Sequence, residues 1–352
     1  MWKKIGKLTL KCLIALLPIY IILGLYIYLD PFRVVHPSDP YFQPENPMHV
    51  GWNKGFVSTE TFKNHHAEEH YDSYIFGSSL SIGYKAAEWS KYIGNTARIF
   101  HFDGSSDSFT GIIEKFRFIN KCGEQVKNAL FVVDPELFTR EDNTETHLFA
   151  QHPDITPQWD FIQFHWLFFK LFMNREFLTG YIDMQINGLT PEMVAVGMFT
   201  KEFPDYNVKY NEENYPFYDN ALAADEDKFY ADRTKMFERE CNKEYVLPEL
   251  FTDETVENLQ SLKDLLEKNG TDFRIIIHPM YHLRTLCCRD RAILFDIFGE
   301  NRVFDFSGEN KYTMNKRNYY DNNSHPRPQL CAELMRIVYK ESADSINSLK
   351  SR

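Results

Sequence analysis

Between Asp72 and Val133 short apolar runs alternate with stretches of helical spacing, and this alternation limits the possible folds more than any other feature of the chain. "DSYIF" (Asp72 to Phe76) reads as a strand, "SIGYKAAEWSKYI" (Ser81 to Ile93) has helical spacing, and "ARIFHF" (Ala97 to Phe102) is a second strand. "SFTGIIEKFRFINKCG" follows as a helix ending at Gly123, and "NALFVV" (Asn128 to Val133) is a third strand. Short unbroken apolar runs suit strands buried on both faces, and parallel neighbours need a helical crossover between them. The pattern predicts a parallel sheet with right-handed crossovers. It resumes with the helix "DETVENLQSLKDLLEKNG" (Asp253 to Gly270), opened by an Asp cap and closed by Gly. The strand "FRIIIHP" (Phe273 to Pro279), a helix over about Leu286 to Phe298, the strand "RVFDFS" (Arg302 to Ser307) and a helix from about Pro328 to Leu349 complete it. The expected class is α/β, a doubly wound five-stranded parallel sheet with flavodoxin-like layering.

From Asp134 to about Pro248 the alternation stops and Phe, Trp and Tyr crowd together, which marks an insertion at about 135–250. Its clearest element is the helix "WDFIQFHWLFFKLFM" (Trp159 to Met173). Its aromatic stripe suits a sugar-stacking platform, a second membrane-associating helix or packing against the sheet; packing is the preferred reading, since charge interrupts the run too soon for a bilayer span. At the other extreme, Cys12 to Leu29 runs 18 residues without a charge, about 27 Å as a helix. The net charge is −11, and Lys3, Lys4, Lys7 and Lys11 before the first acid, Asp30, carry +4, so the rest carries −15. Lysines before the run place the N-terminus in the cytoplasm and the C-terminal domain outside it, periplasmic or extracellular. The run exceeds a signal-peptide core and no small-residue cleavage site follows, so residues 1–30 read as cytoplasmic lysines plus a transmembrane helix. Residues 31–70 then form a linker or lead-in, and 71–352 the main domain.

An acidic body excludes nucleic acid as a partner. Six cysteines lack any C-x-x-C spacing, so neither a disulfide framework nor a zinc site is expected, and no cofactor is implied. "HHAEEH" holds His66, Glu69 and His70 at an H-x-x-E-H spacing, but it precedes the first strand in a polar stretch and reads as a solvated helix end rather than a metal site.

In an open parallel sheet ligands bind beyond the carboxyl ends of the strands. The residues there are Gly77-Ser78-Ser79, Asp103-Gly104-Ser105-Ser106, Asp134 and His278; the loop after the last strand, "NYYDNNSHPRP", adds Asp321 and His325. Serine alone is a poor nucleophile near neutral pH. Imidazole can accept its proton, and a carboxylate fixes the imidazole tautomer. The set is a candidate Ser79, His325 and Asp321 triad, with Ser78, Asp134 and His278 as candidate substrate contacts.

With these residues in this order the chain resembles the SGNH, or GDSL-type, hydrolase superfamily, over roughly Tyr71 to Val133 and Phe273 to Leu349. "FGSSLS" stands where the family has Gly-Asp-Ser-Leu, so Ser78 replaces the motif's acid and Ser79 takes the nucleophile's place. Gly104 matches the glycine after the second strand, whose N–H with that of Ser79 would make an oxyanion hole. "DNNSH" matches the paired acid and base before the final helix, but Asp321 stands four residues before His325 where the family usually has three. Where many members carry an amide donor after the third strand, this chain has Asp134. The layout is similar to membrane-anchored branches that act in alginate O-acetylation and in D-alanyl transfer to teichoic acid. The resemblance implies an extracytoplasmic serine esterase or O-acyltransferase, with O-acetyl as the expected group. Its partners would be a polysaccharide or other acylated envelope glycan and a membrane-bound acyl-donor protein. The alternative is a non-catalytic glycan-binding or scaffold module of an envelope assembly.

Overall fold

The computed structural model describes residues 2–38, 41–42, 47–140, 146–156, 160–201, 204–239 and 243–340, with side chains in the first helix given for Lys11 and from Leu13 onward. In chain order the strands are β1 (Ser73–Gly77), β2 (Ile99–Asp103), β3 (Asn128–Val133), β4 (Asp205–Asn207), β5 (Glu212–Asn214), β6 (Tyr245–Val246), β7 (Asp272–Ile277), β8 (Arg284–Thr285) and β9 (Val303–Asp305). The α-helices are α1 (Trp2–Leu29), α2 (Lys54–Glu69), α3 (Ala86–Ile93), α4 (Phe109–Lys121), α5 (Phe161–Phe172), α6 (Arg175–Asn187) and α7 (Pro191–Ala195). They continue with α8 (Pro216–Ala224), α9 (Glu226–Asp232), α10 (Asp253–Asn269), α11 (Cys288–Phe298) and α12 (Pro328–Lys340).

Five strands pair in parallel in the order β2-β1-β3-β7-β9. The protein is α/β, as the alternation predicts. Tyr74, Phe76, Phe100, Phe102, Phe131 and Ile275 point into one core with α2, α4, α10 and α11, while Ile75, Leu130, Val132 and Ile276 point into a second core with α3 and α12. Burial on both faces explains why the strands carry no polar alternation. The chain leaves β1 toward β2 on one side and reaches β3 on the other, so the crevice above β1 and β3 is the topological switch point where such sheets place ligands.

Three expectations change. The lead-in before β1 contains α2, capped by Asn53 and buried along Phe56, Val57 and Phe62, with Phe62 stacked near Phe102 at 5.4 Å. Its polar residues masked the helix in the sequence. The "HHAEEH" segment is the exposed end of this helix, with His66 part-buried, stacked on Phe62 and bonded to Glu124 at 3.2 Å. Helix α10 is capped by Thr252, whose hydroxyl accepts from the Thr255 N–H, and not by Asp253.

The third concerns the transmembrane helix. Among the described residues no helix is long and apolar enough to cross a membrane. The expected run starts at Cys12, whose side chain lies outside the described residues. The described part of α1 nevertheless exposes Leu13, Ile14, Leu17, Ile19, Ile21 and Tyr28. Only its end is docked: Tyr26 is buried against Phe169 and Phe172 of α5. The insertion forms a third core in which Phe164, Phe168, Phe172 and Phe177 meet Phe32 and Phe56. Packing is what most of the aromatic stripe does. Trp159 and the tail after Lys340 lie outside the described residues. Cys122, Cys287, Cys288 and Cys331 are free thiols.

Candidate active site

Strand β1 ends at Gly77, where a Cβ would stand 2.6 Å from the Val132 carbonyl oxygen and 2.8 Å from the Ser81 Cβ. Only glycine lets the chain pass this close beneath β3. The next residues make a single 3₁₀ turn, Ser79–Ser81. The Ser78 hydroxyl accepts from the Leu80 N–H at 3.4 Å, and its carbonyl accepts from the Ser81 N–H at 2.9 Å and the Ser81 hydroxyl at 2.7 Å. Ser78 is therefore consumed as scaffold. Ser79 is left half-buried at the mouth of the crevice, and as the first residue of the turn its N–H has no acceptor within the turn.

The partner arrives from the far end of the chain. The loop before α12 folds back on itself, with the Tyr320 N–H donating to the His325 carbonyl at 3.0 Å and Tyr319 bridged to Pro326. Ser324 sits at φ 72°, left-handed backbone that L residues adopt uncommonly, and its buried hydroxyl accepts from the Tyr281 N–H at 2.8 Å. This turn absorbs the extra residue between acid and base. His325 Nδ1 lies 2.7 Å from Asp321 Oδ2, and His325 Nε2 lies 3.0 Å from Ser79 Oγ. With the imidazole proton on Nδ1 donated to Asp321, Nε2 is an acceptor for the serine hydroxyl; that tautomer is the one consistent with both contacts. The His325 and Asp321 side chains are 32% and 20% exposed, so the relay is reachable from solvent.

The candidate substrate contacts are not. Ser78, Asp134 and His278 are 3%, 2% and 0% exposed. Both Asp134 oxygens accept from Arg140 Nη2 at 3.1 Å, and one also accepts from the Glu136 N–H at 3.0 Å. Its charge is thus satisfied within the fold. His278 accepts from or donates to the Tyr84 hydroxyl through Nδ1 at 3.0 Å, and its Nε2 has no hydrogen-bond partner of ordinary geometry. Burial pushes its pKa down to about 3; the nearby Ser324 backbone opposes this shift and the His325 charge adds to it. His278 is a neutral prop beneath the 321–325 loop. Gly104 lies beside the site, but its N–H donates to the Gly77 carbonyl at 3.3 Å instead of facing the crevice. A Cβ on it would meet Lys115 Nζ at 3.2 Å and Gly55 Cα at 3.5 Å, so close approach by α2 already accounts for the glycine.

Two buried charge clusters, absent from the sequence reading, stand behind β2. Lys54 Nζ lies 3.4 Å from Asp103 and 3.5 Å from Glu213 and donates to the Asn211 carbonyl at 3.1 Å. Desolvation lowers its pKa, but Asp103 and Glu213 outweigh this and hold it above the ordinary lysine value. Lys115 pairs with Asp107 at 2.6 Å, both fully buried. Lys115 was detectable: it falls between Ile112 and Ile119 on the apolar stripe of α4. Nothing comparable flags Glu213 on its short ribbon. Glu60, His152 and Asp154 converge closely enough to suggest a metal site, but Lys63 Nζ already bridges Glu60 at 2.6 Å and Asp154 at 2.8 Å. An open groove of about 400 Å³ runs between α3 and α12, lined by Gly83, Lys85, Glu88, Lys91, Pro328 and Gln329, and no relay residue lines it.

No family model matches the chain, and no curated protein matches it significantly.

Proposed function

We propose that this chain is an SGNH-type serine esterase or O-acyltransferase, anchored through α1 and acting outside the cytoplasm on an acylated envelope polysaccharide. The observation that carries the chemistry is the relay itself: Asp321 Oδ2 at 2.7 Å from His325 Nδ1, and His325 Nε2 at 3.0 Å from Ser79 Oγ. Ser79 Oγ attacks the acyl carbonyl as His325 takes its proton, and Asp321 stabilises the imidazolium. The tetrahedral oxyanion is met by the Ser79 N–H, joined by the Gly104 N–H once its long bond to Gly77 gives way. His325 then returns the proton to the departing alcohol. Water or a sugar hydroxyl, deprotonated by the same imidazole, next releases the acyl group from Ser79.

The anchoring rests on the lysine cluster and on the apolar side chains that α1 leaves uncovered. The polysaccharide substrate rests on the resemblance in sequence. A second reading, a non-catalytic binding module, is favoured by the Gly104 N–H being engaged with Gly77. A fluorophosphonate probe separates the two. Labelling of the full-length chain that disappears in Ser79→Ala supports the enzyme; a folded chain that never labels sinks it in favour of the binding module.

A further inference from the structure

Most of α5 faces the core, yet Ile162 is 74% exposed, Trp166 51% and Met173, just past its end, 43%. Spacings of four and seven residues put these three on one stripe. From Phe161 to Phe169 there is no formally charged residue. On the neighbouring α6, Ile182 and Ile186 are also exposed, again four apart. Single exposed apolar residues are ordinary on a soluble surface, but a stripe of this kind calls for an apolar partner.

What covers the stripe follows from where it lies. Trp166 is 5.8 Å from Phe169 between ring centroids, and Phe169 is 5.5 Å from Tyr26 of α1. The stripe thus flanks the buried contact by which α5 holds the end of α1, whose own apolar side chains from Leu13 to Tyr28 are exposed. We infer that α5, together with the exposed edge of α6, lies in the bilayer interface, its apolar stripe among the outer acyl chains and Trp166 at headgroup level. The inference rests on α1 being a membrane anchor. A second membrane contact beside the first adds buried apolar area and fixes the tilt of the domain, so that the Ser79 crevice keeps one orientation toward the membrane.

Photocrosslinking tests both ideas separately. The full-length chain is reconstituted in phosphatidylethanolamine–phosphatidylglycerol vesicles carrying a phospholipid with a diazirine on its acyl chain, irradiated, and its adducts are mapped by mass spectrometry. Adducts on α1 and also on 161–173 or 182–186 are the expected result. Adducts on α1 alone overturn the inference and leave the anchor standing; adducts on neither overturn both. Ile162→Asp with Trp166→Asp should lose the α5 adducts and keep those on α1.

Discussion

Two polar clusters sit at the ends of adjacent strands and each contains an aspartate, but they are built in opposite ways. Beyond β2, Lys54, Asp103 and Glu213 are buried and bonded to one another, and Lys115 with Asp107 repeats the arrangement at 2.6 Å. Beyond β1, Ser79, His325 and Asp321 are part-exposed and joined in a single file that ends on a hydroxyl. In the first cluster every charge is spent on holding α2, α4 and β5 to the sheet. In the second, hydrogen-bond capacity is left pointing at solvent. Closeness of titratable groups does not mark a site; unspent capacity in reach of a ligand does.

The contrast fails or sharpens under substitution. The largest effect belongs to Ser79→Ala, which should abolish fluorophosphonate labelling, a loss on the order of 10⁴-fold or more, with an unchanged denaturation midpoint. Asp321→Asn should slow labelling by roughly 10³- to 10⁴-fold because the wrong tautomer is favoured, again at little cost to stability. If it instead unfolds the chain, the part-exposed file is structural like its neighbour. Lys54→Met should do the opposite, costing about 3–5 kcal/mol in urea melts by stranding Asp103 and Glu213 without a cation.

Acid should also separate the two regions. His278 titrates near pH 6.5 when unfolded and near 3 when folded, so below 6.5 the unfolded chain binds the extra proton and stability falls with pH until about 3. Between pH 6.5 and 5 this amounts to roughly 2 kcal/mol, and His278→Gln should flatten that part of a stability-against-pH curve. The smallest effect is Ser78→Ala: losing a long cap bond should cost about 0.5–1 kcal/mol in thermal melts and leave labelling nearly intact.

The β-strands were legible because burial on both faces leaves an unbroken apolar run, and "NALFVV" matches β3 residue for residue. Helix α2 was not: "KGFVSTETFKNHHAEE" carries polar residues along a buried face, several of which are satisfied inside by partners distant in sequence, as Ser58 is by Asp103. The candidate triad could be read from residue types and their order along the chain. Its hydrogen-bonded geometry could not, since that depends on the left-handed turn at Ser324, which a serine codon does not announce. Asp134 and His278 looked available only because their position after a strand says nothing about Arg140 or Tyr84 closing over them.

One junction has a mechanical meaning. Directly after α1 the Asp30 carboxylate accepts from the backbone N–H groups of Val34, Val35 and His36, and Phe32 stacks on Phe177 at 5.2 Å. The chain leaves its first helix without a free joint. A body mounted this way behaves as a bracket, not as a weight on a string: its reach is set by its own dimensions. Under the proposed function, an acyl donor or acceptor is carried to Ser79, because a crevice held this way does not sweep its surroundings in search of one.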